Sequence, residues 1–190
     1  MVTEFQEHKL KIFFCLFDSD NDGKIEVNDF KKVVDKFVHL KGINKETPEY
    51  FNLYNLYLDF WENTLKYADI DDDDKIRYDD FLSYWFDLLK FPQEIEKLIL
   101  DFGKAFMSII LFDEEENLFS FDNYKIFLTG FGREIVDIEN HYRKLLNKEG
   151  KITIDDAQQL AIEFFLSNDK TALGNLWFGP LDTGDCIGNK

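Results

Sequence analysis

Two short stretches of this chain set aspartates at every second position. The first, "DSDNDGKIEVND", runs from Asp18 to Asp29, and the second, "DIDDDDKIRYDD", from Asp69 to Asp80. A packed core gains nothing from alternating carboxylates, and like charges this close repel one another unless a cation lies between them. A hard divalent cation takes oxygen ligands, about six to eight for calcium. A twelve-residue loop can present them from positions one, three, five, seven, nine and twelve, with glycine at six for the sharp turn. The first stretch supplies Asp18, Asp20 and Asp22 at one, three and five, and Gly23 at six. Lys24 at seven offers its backbone carbonyl, Glu26 at nine can act directly or through water, and Asp29 at twelve closes the site.

The second stretch repeats the scheme with Asp69, Asp71 and Asp73, the Lys75 carbonyl at seven, Arg77 at nine and Asp80 at twelve. Asp74 replaces glycine at six. That position needs positive φ, which Asp tolerates better than most residues but at a cost, so the second loop is expected to bind more weakly. Ile25 and Ile76 occupy the eighth positions and are expected to pair in a short β-ladder.

Helices must hold both loops. Phe5, Leu10, Phe13, Phe14 and Phe17 recur at helical spacing before the first loop, and Phe30, Val33, Val34, Phe37 and Val38 do so after it. A long helix is expected from about Glu49 to Tyr67, with Phe51, Tyr54, Leu58, Trp61 and Leu65 on its apolar face, and "FLSYWFDLLKF" follows the second loop. Helix, acidic loop, helix therefore occurs twice. Pro92 marks a boundary and a helix start, dividing the chain into 1–91, with both ion sites, and 92–190. The second part holds two weaker echoes, "FDEEENLFSFDN" and "LLNKEGKITIDD". Their first positions are Phe112 and Leu145, which leaves too few oxygens for an ion. Their eighth residues, Phe119 and Ile152, can still pair with each other. "GNLWFGPLDTGDCIGNK" closes the chain, and its cluster Leu176, Trp177 and Phe178 is expected to dock back on the core.

Composition narrows the function. Of the 190 residues, 45% are hydrophobic, with 21 phenylalanines, which suits a substantial aromatic core. A formal charge of −16, from 38 acidic against 22 basic residues, disfavours nucleic acid and anionic membrane surfaces and suits a cation ligand. "IFFCLF" is too short for a secretory signal and ends at charged Asp18, and no apolar run reaches the ~20 residues of a transmembrane helix. Cys15 and Cys186 are read as two reduced thiols, a monomer is expected, and the cytoplasm is the default compartment.

The residues quoted above resemble EF-hand proteins, and more narrowly the sarcoplasmic calcium-binding protein and calexcitin group of invertebrates. "LKYADIDDDDKIRYDDFLSYW" resembles the group's second helix, loop and helix, and "FFLSNDKTALGNLWFG" is similar to calexcitin's closing segment. The resemblance implies an all-α globule of four EF-hand motifs in two pairs, some of them inactive, that buffers calcium or responds to it. The departure at the third loop, where the group often keeps a working site, puts a third ion in doubt. Insect proteins similar to this group are described as juvenile hormone diol kinases, which makes a kinase the alternative of a different class. The chain offers it little: no G-x-x-x-x-G-K-[ST] loop and no G-x-G-x-x-G after a strand. "GFGR" at Gly130 reads as a helix end and turn. His8, His39 and His141 form no catalytic pattern and are expected at the surface or on helix flanks. A sensor with a protein partner is a further alternative, although Met1 and Met107 alone cannot make a Met-rich groove.

Asp at position twelve is one methylene shorter than the usual Glu and can bind through one oxygen, which leaves the six-fold coordination that magnesium prefers. The first loop should therefore discriminate poorly between the two ions. Titrating calcium with and without millimolar magnesium checks this: the apparent calcium affinity should fall in magnesium.

Overall fold

The computed structural model describes residues 3–63, 65–110, 118–133 and 135–181. Among these are eight α-helices and a single two-stranded ladder. The first helix–loop–helix is α1 (Glu4–Phe17), β1 (Lys24–Ile25) and α2 (Val27–Lys41). The second is α3 (Pro48–Asn63), a 3-10 turn at Leu65–Ala68, β2 (Ile76–Arg77) and α4 (Tyr78–Leu88). Then come α5 (Pro92–Ile110), α6 (Phe121–Gly130), α7 (Ile138–Leu145), α8 (Ile154–Leu166) and a closing 3-10 turn at Leu173–Leu176. No helix among the described residues is long and apolar enough to cross a membrane.

Local chemistry sets the helix ends. Thr3 opens α1 with a reciprocal cap: its hydroxyl accepts from the Gln6 amide at 3.1 Å, and the Gln6 side chain accepts from the Thr3 amide at 3.1 Å. Thr153 and Asp156 form the same box at α8. Gly42 ends α2 in the left-handed region at φ 66°, where a Cβ is disfavoured. Pro92 begins α5, as its missing N–H allows. "GFGR" is a helix end and turn: α6 stops at Gly130, and Gly132 adopts φ 71°.

The apolar faces of α1 and α2 are buried as their spacing implies, except that Phe5 is partly exposed. The long third helix differs. It stops at Asn63 and tightens into the 3-10 turn, and its buried face is Leu53, Tyr57, Phe60 and Trp61. Phe51 is 54% exposed, because the helix is rotated to press Phe60 and Tyr57 onto Phe102 of α5, with ring centroids 4.2 and 5.7 Å apart.

Aromatic rings make the core continuous across residue 92. Phe17 stacks on Phe30 at 5.1 Å and meets Phe131 edge-on at 5.8 Å; Phe37 meets Phe106 and Phe131. The second part repeats the loop pairing, with the Phe119 amide donating to the Ile152 carbonyl at 2.8 Å. Half of the third loop, residues 112–117, lies outside the described residues.

The closing segment docks as expected up to Leu181. Trp177 lies 5.1 Å from Phe127, and Phe178 lies 4.8 Å from Phe164. Arg133 donates to the Phe178 and Pro180 carbonyls at 3.1 and 2.9 Å. Gly174 fits flush on α8, where a Cβ would fall 2.5 Å from the Leu160 carbonyl oxygen. Two expectations are corrected. His141 is buried, not on a surface flank, with its Nε2 2.9 Å from the Leu176 carbonyl, and burial pulls its pKa down. Cys15 is disulfide-bonded, not a reduced thiol; the chain's other cysteine, Cys186, lies outside the described residues. Sequence distance hid the closeness of tail and first helix: His8 of α1 lies 2.6 Å from the Leu181 carbonyl.

Lys9 of α1 is 1% exposed. Its ammonium donates to the Ser167 carbonyl at 2.6 Å and lies over the Phe5 and Phe164 rings. Burial pulls its pKa from 10.5 down to about 8, against the opposing pull of Glu163. Between those values the unfolded chain binds more protons than the folded one, so stability rises with pH there and is flat below. The slope attributable to Lys9 reaches at most about 1.4 kcal/mol per pH unit. Thermal unfolding without metal should show midpoints rising from pH 8 to 9.5 in the native chain, and a flatter profile in Lys9→Met.

Candidate metal centres in the paired loops

Each acidic loop wraps its own first aspartate. Asp18 accepts hydrogen bonds from the Asp22 and Gly23 amides at 3.1 and 3.0 Å, and Asp22 accepts from the Lys24 amide at 3.0 Å. The second loop repeats all three bonds: Asp69 accepts from Asp73 and Asp74 at 3.2 and 2.8 Å, and Asp73 from Lys75 at 3.1 Å. These turns require left-handed backbone at the same places. Asn21 and Asp72 at position four have φ 56°, and Gly23 and Asp74 at position six have φ 87° and 61°. Asp74 thus adopts the conformation that its position demands.

The result is two carboxylate clusters. Ligand oxygens of Asp18, Asp20 and Asp22 lie within 4.8 Å of one another, and so do those of Asp69, Asp71 and Asp73. Asp18 is buried, and its two partners are exposed. Between the loops, Ile25 and Ile76 face each other in the antiparallel ladder, both fully buried, beside the Lys24–Arg77 pair. The loops are further tied by Lys75, whose ammonium lies 3.0 Å from Glu26, a contact that raises the lysine's pKa.

The remaining expected ligands are held elsewhere. Glu26 caps α2 and faces Lys75. Asp29 is buried, accepting from Ser19 Oγ at 2.8 Å and the Glu26 amide at 2.9 Å. Asp80 is half-buried in the first turn of α4. None of the three belongs to its loop's cluster. Lys24 and Lys75 stand at position seven, the first 3.7 Å from Asp22.

Basic side chains reach into both clusters, and reading the spacing alone missed them. Lys32 of α2 donates to Asp20 at 2.5 Å and Asp29 at 3.2 Å, and the Asp20 carboxyl is held below its usual range by that bond. Arg77 spans the second cluster, 3.1 Å from Asp71 and 2.7 Å from Asp73, and holds Asp73 low. Lys66 sits 3.3 Å from Asp74. The i,i+3 offset of Lys32 from Asp29 and the i,i+4 offset of Arg77 from Asp73 were the available signals. Burial pushes the Asp18 carboxyl up, opposed by its amide hydrogen bonds, and the charges of Asp22 and Asp29 push the same way. A divalent ion among these oxygens would favour the ionised form instead. The clustered donors, all carboxylate oxygens, fit a hard cation and not a soft one.

A family model described as an EF-hand domain pair matches residues 7–86. Over those residues, which hold both acidic loops, the chain is similar to an EF-hand domain pair. Its relatives include the sarcoplasmic calcium-binding proteins II, V, VI and VII of Branchiostoma lanceolatum, 27% identical over 85 residues, or 44% of this chain and 46% of the relative's length. The sarcoplasmic calcium-binding protein beta chain of Penaeus sp. is 24% identical over 180 residues, 87% of this chain and 91% of that protein. The solved sarcoplasmic calcium-binding protein of amphioxus superposes with a TM-score of 0.68 at 20% identity, over 94% of this chain and 98% of that one. That likeness establishes a shared fold. In EF-hand terms, both loops of the matched pair set their aspartates at positions one, three and five together, and Arg77 stands at position nine of the second.

An ion entering the second EF-hand loop has to displace a guanidinium from two of its carboxylates. Arg77→Ala should therefore raise the calcium affinity of that loop, by about fivefold at low salt, while Arg77→Lys changes it less. Calorimetric titration reads this directly.

Proposed function

We propose that this protein reversibly binds about two calcium ions, one in each loop of residues 18–29 and 69–80, with magnesium competing for the same oxygens. The observation that carries the reading is the pair of three-aspartate clusters, built on identical amide hydrogen bonds and coupled through Ile25 and Ile76. The relatives named sarcoplasmic calcium-binding proteins support it. Asp18, Asp20, Asp22, the Lys24 carbonyl, Glu26 and Asp29 form the first ligand set, and Asp69, Asp71, Asp73, the Lys75 carbonyl and Asp80 the second. Glu26, Asp29 and Asp80 would close on the ion from their present partners. Their flanking helices α2 and α4 carry that adjustment into the aromatic core.

A buffer, or a sensor with a small conformational response, fits this core better than a calmodulin-like switch. Phe, Trp and Tyr rings interlock across both halves, and opening a groove would separate them. The degenerate second pair serves as a fixed support in this reading: Asn147 donates to Asp156 at 2.7 Å, occupying the loop's closing carboxylate.

Calorimetry on decalcified protein should return a stoichiometry near two. Asp18→Ala and Asp69→Ala should each remove about one ion, and the double variant should bind none. A wild-type stoichiometry of zero, or unchanged uptake in both variants, overturns the assignment.

A further inference from the structure

The central cavity among the core rings, about 80 Å³, is well below the ~150 Å³ that accepts benzene. A larger space, a groove of about 430 Å³, opens between α3, α4 and α5. Small-molecule sites are clefts of about 300–1,000 Å³ with apolar walls and a few placed polar groups. This groove has that make-up. Its apolar lining comes from Leu56 and Phe60 of α3, Leu88 of α4, and Leu98 and Phe102 of α5. Three exposed carboxylates, Asp59, Glu94 and Asp101, line it too, against a single ammonium, that of Lys97. Among the described residues none of these three carboxylates makes an ion pair or a side-chain hydrogen bond, although other surface aspartates pair with Lys32, Lys45, Lys66 and Arg77.

Ring contacts fix how the two longer walls face each other. Phe60 lies 4.2 Å from Phe102, and Tyr57, one turn earlier on α3, lies 5.7 Å from both Phe102 and Phe106. The two helices therefore run antiparallel. Asp59 and Asp101, each next to one of the touching phenylalanines, stand at one end of the groove, and Asn63 and Glu94 at the other. Glu94 and Asp101 are two turns apart on α5, about 10 Å. A protein partner needs about 800 Å² of surface on each side, more than a groove of that length offers. The size and the charge together suit a small molecule with an apolar body and a positive end.

We propose that the groove between α3, α4 and α5 binds a small organic cation, an aromatic ring system on a short chain that ends in an ammonium group. The rings lie on the apolar lining of Phe60, Leu98 and Phe102, and the ammonium lies at the end that carries Asp59 and Asp101. That end offers two carboxylates from facing helices, and the other end offers one. The site is separate from the ion loops and stands whether or not they bind calcium.

Tryptamine and tryptophol, nearly equal in size but ending in an ammonium and a hydroxyl, are the probes. Each would be titrated into the full chain by calorimetry at low salt and in excess calcium, with backbone amide resonances followed by NMR. Tryptamine should bind saturably and about fivefold tighter than tryptophol, shifting amides along α3 and α5 and not those of residues 18–29 and 69–80. The double variant Asp59→Asn, Asp101→Asn should lose that preference and still bind tryptophol, which shows that the groove is intact. Glu96→Gln, which removes a carboxylate of α5 outside the groove, should keep the preference. The proposal is overturned if neither probe binds, if the double variant retains the preference, or if the shifts fall in the two loops. It is equally overturned if a Lys-rich amphipathic peptide occupies the groove and tryptamine does not.

Discussion

Crowding of like charge is the constraint from which the N-terminal half follows. Three carboxylates within 4.8 Å of one another cannot be held by side-chain preference alone. The chain holds them with backbone. Left-handed residues at positions four and six curl each loop, and the amides exposed by that curl point at the first aspartate. The ladder then fixes the two curled loops back to back, so the loops share one mechanical foundation. Removing positive φ at Gly23 or Asp74 would unwind the amide cradle before it affected any ligand atom.

Charge balance around the clusters differs between the loops. In the first, the aspartate at position one is buried, and Lys32 reaches the aspartates at three and twelve. In the second, Asp69 is half-buried, and Arg77 bridges the aspartates at three and five. A guanidinium presents several donors in a fixed fork and matches two carboxylates better than an ammonium can. The second loop therefore carries its own resident cation, one residue past the Ile76 that ties it to its neighbour. Differences between the loops come from these basic residues as much as from glycine against aspartate at position six.

Spacing made the loops legible: alternation of Asp, an isoleucine at eight and a glycine at six are local features, and the fold realises them locally. The ladder and the left-handed Asp74 follow from the same pattern. What escaped was tertiary. The rotation of α3 that exposes Phe51 is decided by Phe102, some fifty residues away. The burial of His141 is decided by Leu176, in a tail segment that returns to α1. Lys32 and Arg77 lay in plain view, but a pattern of ligands assigns no part to cations, and their geometry emerges only when a helix turn brings them over the loop.

The aromatic core links these layers. Phe17 immediately precedes Asp18, and Phe30 immediately follows Asp29, and the two rings stack on each other at 5.1 Å. The helices entering and leaving the first loop are therefore clamped at the loop's own ends. Phe81 follows Asp80 in the same way and packs on Phe14 at 5.2 Å, joining the second loop's exit to the first loop's entry. Phe131 of the second half closes on Phe17 and Phe37. A shift of either aspartate at position twelve must move a ring next to it, and each ring is interlocked with others that reach the central cavity. The second half is therefore packed against the same rings that flank the first loop.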